Sequence, residues 1–211
     1  MRIAVIGGGN VGGGLGRICA AAGHEVCVGS REPHGPRSVA LTERLGPNVA
    51  VLSIEEAAAA AEIVLLAVPW SAAEGTVKRA DLAGKVLIDT TNPMGPGLEL
   101  AVGHTTSAAE RIAGWVPEAR VVKAFNIVGA EHLSDPRLGG QALTMLICGD
   151  DQEAKTAVGS LAEEIGFEVV DAGPLTCARL LEPLAVLWIR LAVVEGLGRD
   201  IGFKLLRGKS R

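Results

Sequence analysis

Arg2-Ile3-Ala4-Val5-Ile6-Gly7-Gly8-Gly9-Asn10-Val11-Gly12 is the stretch on which the fold turns. A run of apolar residues halted by glycine reads as a short strand buried on both faces. Gly7, Gly9 and Gly12 follow it in the spacing G-x-G-x-x-G and open a helix. In that context the spacing marks a phosphate-binding turn rather than a flexible glycine loop. Gly7 allows the tight turn, Gly9 lets a pyrophosphate approach the backbone, and Gly12 lets the helix pack closely on the strand. Gly8, Asn10 and Val11 complete the turn, where free N–H groups and the helix dipole attract an anion.

Working outward, a helix is predicted from about Val11 to Ala22, ended by Gly23, and a second strand from Glu25 to Val28, stopped by Gly29. This is one βαβ unit. Further strands are expected at Val49 to Leu52, Ile63 to Val68, Val86 to Ile88, Val121 to Phe125, Leu143 to Cys148 and Phe167 to Val170, with helices in most of the gaps. The alternation implies an α/β fold, a Rossmann-type doubly wound and mainly parallel sheet. From Leu175 to Leu206 the spacing is helical throughout, with Pro183 as a kink or break. The reading is therefore a dinucleotide-binding domain over residues 1–173 and a small helical part over 174–211, joined by a turn at Asp171-Ala172-Gly173-Pro174.

Composition narrows the function classes. A net charge of −4 and an aromatic content of 3% provide neither a basic face for phosphates nor a stacking platform for bases, so no nucleic-acid partner is expected. The most apolar late stretch, Leu184 to Leu197, is interrupted by Arg190 and Glu195 and is shorter than the ~20 residues of a membrane span. The N-terminal apolar run is too short for a signal peptide, and Cys19, Cys27, Cys148 and Cys177 form no metal-binding spacing. A cytoplasmic protein with reduced thiols and no metal is the expectation.

The second turn names the nucleotide. A cofactor without the extra phosphate meets an acidic residue about 20 residues after the glycines, but here Ser30-Arg31 stands there. A guanidinium fork suits a phosphate, which favours NADP(H) over NAD(H). Arg37 either assists from the following segment or is simply solvated. In an open α/β sheet ligands bind at the carboxyl ends of the strands, which here lead into Pro69-Trp70, Asp89-Thr90-Thr91-Asn92-Pro93 and Asn126. Thr91, Asn92 and Asn126 either meet an amide or ring edge or serve the turns themselves. Lys123 reads as protection of a strand near a sheet edge. The four histidines are scattered, and hydride transfer between two bound rings requires alignment rather than a nucleophile, so no catalytic side chain is expected beyond Asn126 as a positioning residue.

With these residues in place the chain resembles the coenzyme F420-dependent NADP oxidoreductase family over nearly its whole length. The matching segments are Gly7 to Gly12, Val28-Gly29-Ser30-Arg31, Val68-Pro69-Trp70, Cys148-Gly149-Asp150-Asp151, Asp171 to Leu175, and Arg179-Leu180-Leu181-Glu182-Pro183-Leu184. The resemblance implies a homodimer exchanging hydride between NADP(H) and a deazaflavin. It also implies Gly9, Asn10 and Val11 at the pyrophosphate, Ser30 and Arg31 at the 2′-phosphate, Trp70 at the nicotinamide half and Ala130 at the nearby ring pocket. The glycine turn looks one residue shorter than in the archaeal deazaflavin enzymes, which carry His where Asn126 stands. The segment Val121 to Asn126 is similar instead to the cytosolic reductase domain of the Steap metalloreductases, which pairs NADPH with a flavin.

Three functions share the glycine turn: an enzyme passing hydride from NADPH to a coenzyme F420-like deazaflavin, an NADPH-dependent flavin or ferric reductase, and an NADPH-binding sensor without turnover. The late helix with Leu184, Leu187, Trp188 and Leu191 closes the acceptor pocket, packs across a dimer, or packs on its own domain.

Overall fold

A computed structural model describes residues 1–46 and 49–208; the side chains of Arg37 and Arg44 are outside the described set, and with Arg37 goes its expected role at the phosphate. The first strand, β1 (Arg2–Ile6), leads into α1 (Asn10–Ala21), and β2 (Glu25–Ser30) follows. The chain continues through α2 (Pro36–Leu45), β3 (Ala50–Ser53), α3 (Ile54–Ala60), β4 (Ile63–Leu66), α4 (Trp70–Val77) and β5 (Val86–Asp89). Next come α5 (Ala108–Trp115), β6 (Arg120–Lys123), a short hairpin of β7 (Arg137–Leu138) and β8 (Gln141–Ala142), β9 (Thr144–Gly149), α6 (Gln152–Ile165), β10 (Glu168–Asp171) and α7 (Ala178–Ile189).

The main sheet has eight strands in the order β3-β2-β1-β4-β5-β6-β9-β10. The run from β3 to β6 is parallel, whereas β9 pairs antiparallel to β6 and carries β10 parallel to itself. The sheet is thus the doubly wound, mainly parallel one expected, and the reversal point between β1 and β4 is where such sheets hold ligands.

Alternation along β1 shows how two cores form. Ile3 and Val5 face a cluster with Leu15 and Cys19 of α1, Leu41 and Leu45 of α2, and Val158 and Leu161 of α6. Ala4 and Ile6 face the other, with Ile54 and Ala57 of α3, Ala73 and Val77 of α4, Ile112 of α5, and Ala178 and Leu181 of α7. Strands covered on both faces have no polar side to present, which is why β1 and β4 read as continuous apolar runs.

Two expectations need correction. Lys123 does not protect an edge: β6 lies inside the sheet, between β5 and β9, and the residue is fully buried. The late helix does not run to Leu206. Helical backbone passes through Pro183 without a break, widens into a π-helical turn at Arg190–Val194, and ends before Gly196 and Gly198, both at positive φ. The remaining tail turns back along the sheet, where Thr144 donates its N–H to the Phe203 carbonyl at 2.9 Å.

Candidate functional site

The glycine turn shows a division of labour. Gly7 has φ +109°, and a Cβ there would sit 2.2 Å from the Ala67 carbonyl oxygen. A Cβ on Gly12 would lie 1.9 Å from the Gly7 oxygen, so helix and turn touch backbone to backbone. Gly9 is different: a Cβ there meets nothing within 4 Å. Gly7 and Gly12 serve packing, and the bare backbone of Gly9 borders open space at the start of α1. Among the described residues no side chain caps the first N–H groups of that helix. The cradle fits a diphosphate.

A cleft of about 450 Å³ extends from the turn toward β2, lined by Gly7, Gly8, Gly9, Ser30 and Arg31 and walled by Val68 and Pro69. Sequence reasoning did not identify its floor and side, made by Ser38 and Leu41 of α2, Ile54 of α3 and Thr76 of α4. Of the two polar members, Ser38 and Thr76, Ser38 is the one nearer in sequence to Ser30. Its hydroxyl donates to the Glu32 carbonyl at 2.6 Å and lies 2.9 Å from Ser30 Oγ, while Ser30 Oγ accepts from the Glu32 N–H at 3.1 Å. This turn holds Arg31 exposed at the mouth of the cleft. A larger cavity, about 630 Å³, opens at the amino ends of β1 and β2 around Arg2, Glu25 and Cys27. It is at the wrong end of the strands for a dinucleotide.

Trp70 does not line the cleft with Pro69. It opens α4, and its ring stacks on Trp115 of α5 with centroids 5.3 Å apart. Ala130 begins a short turn on the flank of α1, where it shares a smaller cleft with Asn10, Gly13, Gly14 and Arg17. Trp188 of α7 packs behind that turn: a Cβ on Gly129 would lie 2.9 Å from its ring.

The ends of β5 and β6 are joined by buried polar contacts. Lys123 Nζ meets Asp89 Oδ2 at 2.8 Å and Glu182 Oε1 at 3.0 Å, and it also donates to the Thr91 carbonyl. Asp89 Oδ1 accepts the Thr91 N–H at 2.8 Å, which shapes the loop leading to Pro93. Glu182, from α7, accepts the first two N–H groups of α5, those of Ala108 at 2.9 Å and Ala109 at 3.2 Å. Burial alone would push the lysine down, but the two carboxylates outweigh it and hold the ammonium above its ordinary value. Burial pushes the Glu182 carboxyl up, against the opposing pull of Lys123 and the Ala108 N–H.

One step along the chain, Asn126 Nδ2 donates to Asn92 Oδ1 and to the Leu181 carbonyl, each at 3.0 Å, and Asn92 Nδ2 returns a bond to the Asn126 carbonyl at 3.0 Å. Phe125, just before it, has φ +60°. That left-handed backbone carries the chain from β6 to the asparagine. Thr91, Asn92 and Asn126 are therefore brought together, and adjacent residues of α7, Leu181 and Glu182, dock on them.

The comparisons with known proteins agree with this geometry. A sequence model of the family described as NADP oxidoreductase, coenzyme F420-dependent, matches residues 2–93. The F420-dependent NADP reductase of Methanothermobacter marburgensis is 36% identical, over 97% of this chain and 98% of its own. Metalloreductase STEAP3 of Rattus norvegicus is also 36% identical, over 87% of this chain, but the match spans only 36% of that longer protein. A crystal structure of an Arthrobacter sp. fb24 protein named for F420-dependent NADP reduction superposes with TM-score 0.90 at 33% identity, covering 98% of this chain and 100% of the other. A Rossmann sheet, a glycine cradle at its reversal point and relatives matched end to end lead to one conclusion: the chain belongs to the coenzyme F420-dependent NADP oxidoreductase family.

Proposed function

We propose that the protein transfers hydride between NADP(H) and a deazaflavin acceptor of the coenzyme F420 type. The observation that carries this reading is the match with the F420-dependent NADP reductase of Methanothermobacter marburgensis over 97% of this chain and 98% of the other. NADPH bound in the cleft would supply the hydride from its nicotinamide ring. The protein's part is placement: the α1 N-terminus and Gly9 hold the diphosphate, Ser30 and Arg31 select the 2′-phosphate, and the Asn92–Asn126 pair sets the floor where the rings meet. Apolar walls from Val68 and Pro69 exclude water from the reacting face.

The similarity to STEAP3 favours a second reading, in which a flavin or ferric complex takes the electrons. NADPH oxidation followed by absorbance, with a deazaflavin, FMN, FAD and ferric chelates offered in turn, separates the two. Turnover with the deazaflavin alone supports the proposal, turnover with flavin or iron alone replaces it, and tight NADPH binding with no acceptor consumed marks a sensor.

A homodimer working in the reducing cytoplasm fits this reading. Leu180, Leu187 and Val194 lie exposed at heptad spacing along α7 and its extension, with half-buried Leu184 and Leu191 between them. Such a stripe is the seam on which two helices pair. Trp188 points inward instead and donates its Nε1–H to the Ile201 carbonyl at 2.9 Å. Among the described residues no helix is long and apolar enough to cross a membrane.

A further inference from the structure

We infer that the buried Lys123–Asp89–Glu182 cluster biases the bound nicotinamide couple toward its oxidised, cationic form, with Glu182 as the group that sets the cluster's charge. The inference rests on the proposed NADP(H) site and goes beyond it, because it assigns a function to residues that touch neither the cleft nor the hinge of the glycine turn. Asp89 closes β5, which pairs with β4, and Lys123 closes β6 on the other side of β5; the end of β4 leads into the Pro69 wall. Neighbouring strands are about 5 Å apart, so the cluster lies within a few strand spacings of any ring held over β4 and β5. It contains two carboxylates against one ammonium, all at most 1% exposed. With Glu182 ionised it carries excess negative charge, partly offset by the two α5 N–H groups. With Glu182 protonated it is neutral.

Hydride departure takes two electrons and one hydrogen from the ring to the acceptor and leaves the ring positive. A buried negative charge therefore stabilises the product form of the nucleotide and not the neutral dihydro form. The charged partners of Glu182 are Lys123 and Asp89, Cys148 on β9 lies close to the cluster, and the Arg179–Glu110 pair joins α7 to α5 one turn earlier on the helix. Burial pushes the Cys148 thiol up to about 12, so it stays neutral across the range that matters.

The test is the ratio of the NADP+ and NADPH dissociation constants, measured by calorimetry on the full chain from pH 6 to 9. The 2′-phosphate and diphosphate are common to both ligands and cancel in the ratio. Wherever Glu182 is ionised, the wild-type ratio is shifted toward NADP+ relative to a neutral cluster. Glu182→Gln keeps one oxygen for the Lys123 ammonium and the Ala109 N–H while giving up the charge and the Ala108 bond, leaves NADPH affinity within about twofold, and weakens NADP+ by about three- to tenfold at pH 9. Asp89→Asn, as a second variant, shifts the ratio in the same direction. Equal ratios in wild type and Glu182→Gln at every pH, or a pH dependence that survives the substitution, overturn the inference. Failure of wild type to bind either nucleotide would instead overturn the reading of the cleft.

Discussion

The two halves of the ligand-facing edge are built in opposite ways. Over β1 and β2 the cleft is open and its polar groups are local: Gly7 to Gly12, Ser30, Arg31 and Ser38 come from a single βαβ unit and the start of the next helix. Over β5 and β6 the polar groups are sealed from solvent and come from distant parts of the chain, since Asp89 and Lys123 are paired across neighbouring strands and α7 returns to the sheet to add Glu182. The first half is a surface that waits for charge from a ligand. The second carries its own charge, balanced within the protein. An anion site can be borrowed from helix geometry at little cost, whereas a buried ion cluster is stable only if every member keeps its partner.

That difference can be broken most severely at Lys123. Replacing it with Met leaves Asp89 and Glu182 facing each other without a counter-ion, and the expected loss is about 3–5 kcal/mol, seen as a fall of about 10 °C or more in Tm. A smaller loss is expected within the glycine turn, and there it sorts packing from binding. Gly12→Ala places a methyl against the Gly7 oxygen and should cost up to about 3 kcal/mol in urea unfolding. Gly9→Ala, with open space at its Cβ, should leave the urea midpoint unchanged and weaken NADPH alone. If both lower stability equally, Gly9 is a packing residue as well.

At the open end, Arg31→Ala removes bonds worth about 1.5–3 kcal/mol to a charged group, so the NADPH dissociation constant should rise about tenfold or more while that of NADH hardly moves. Equal weakening of both would remove Arg31 from the phosphate. The smallest effect is expected at the tie between α7 and α5, where Arg179 meets both Glu110 oxygens, at 2.9 and 2.5 Å. Arg179→Met should cost only about 1 kcal/mol, because the pair is partly solvated. The Arg179 bonds hold the Glu110 carboxyl below its ordinary value. Its contribution is therefore complete above the unfolded carboxyl value and fades as pH falls through the lowered folded one, so wild type and variant should converge in acid.

How much of this was legible follows the same division. The βαβ unit declares itself because its apolar runs, glycines and Ser30-Arg31 are contiguous and each obeys a local rule. Pro69, Thr91, Asn92 and Asn126 stand out in sequence because strand ends are where ligands bind, although no local signal says that Asn92 and Asn126 bond to each other. Lys123 was misread because an isolated lysine in an apolar strand carries no sign of the carboxylates that other elements bring to it. The helix limit near Val194 was missed for a related reason. Apolar spacing continues beyond it, but Gly196 and Gly198 turn the backbone and the tail finds its hydrogen bonds on β9.

Phe125 carries a consequence for anyone who would stabilise this protein. Its left-handed backbone is disfavoured by about 1–2 kcal/mol for a residue with a side chain. The conformation persists because the ring packs edge-on against Phe167, 6.1 Å between centroids, and the N–H reaches Met145 Sδ at 3.1 Å. Glycine at this position would relieve the backbone but remove the wedge that aims the next residue. A design campaign ranking substitutions by melting temperature alone would therefore select variants in which the Asn92–Asn126 pair has lost its register, trading local order for durability at a single codon.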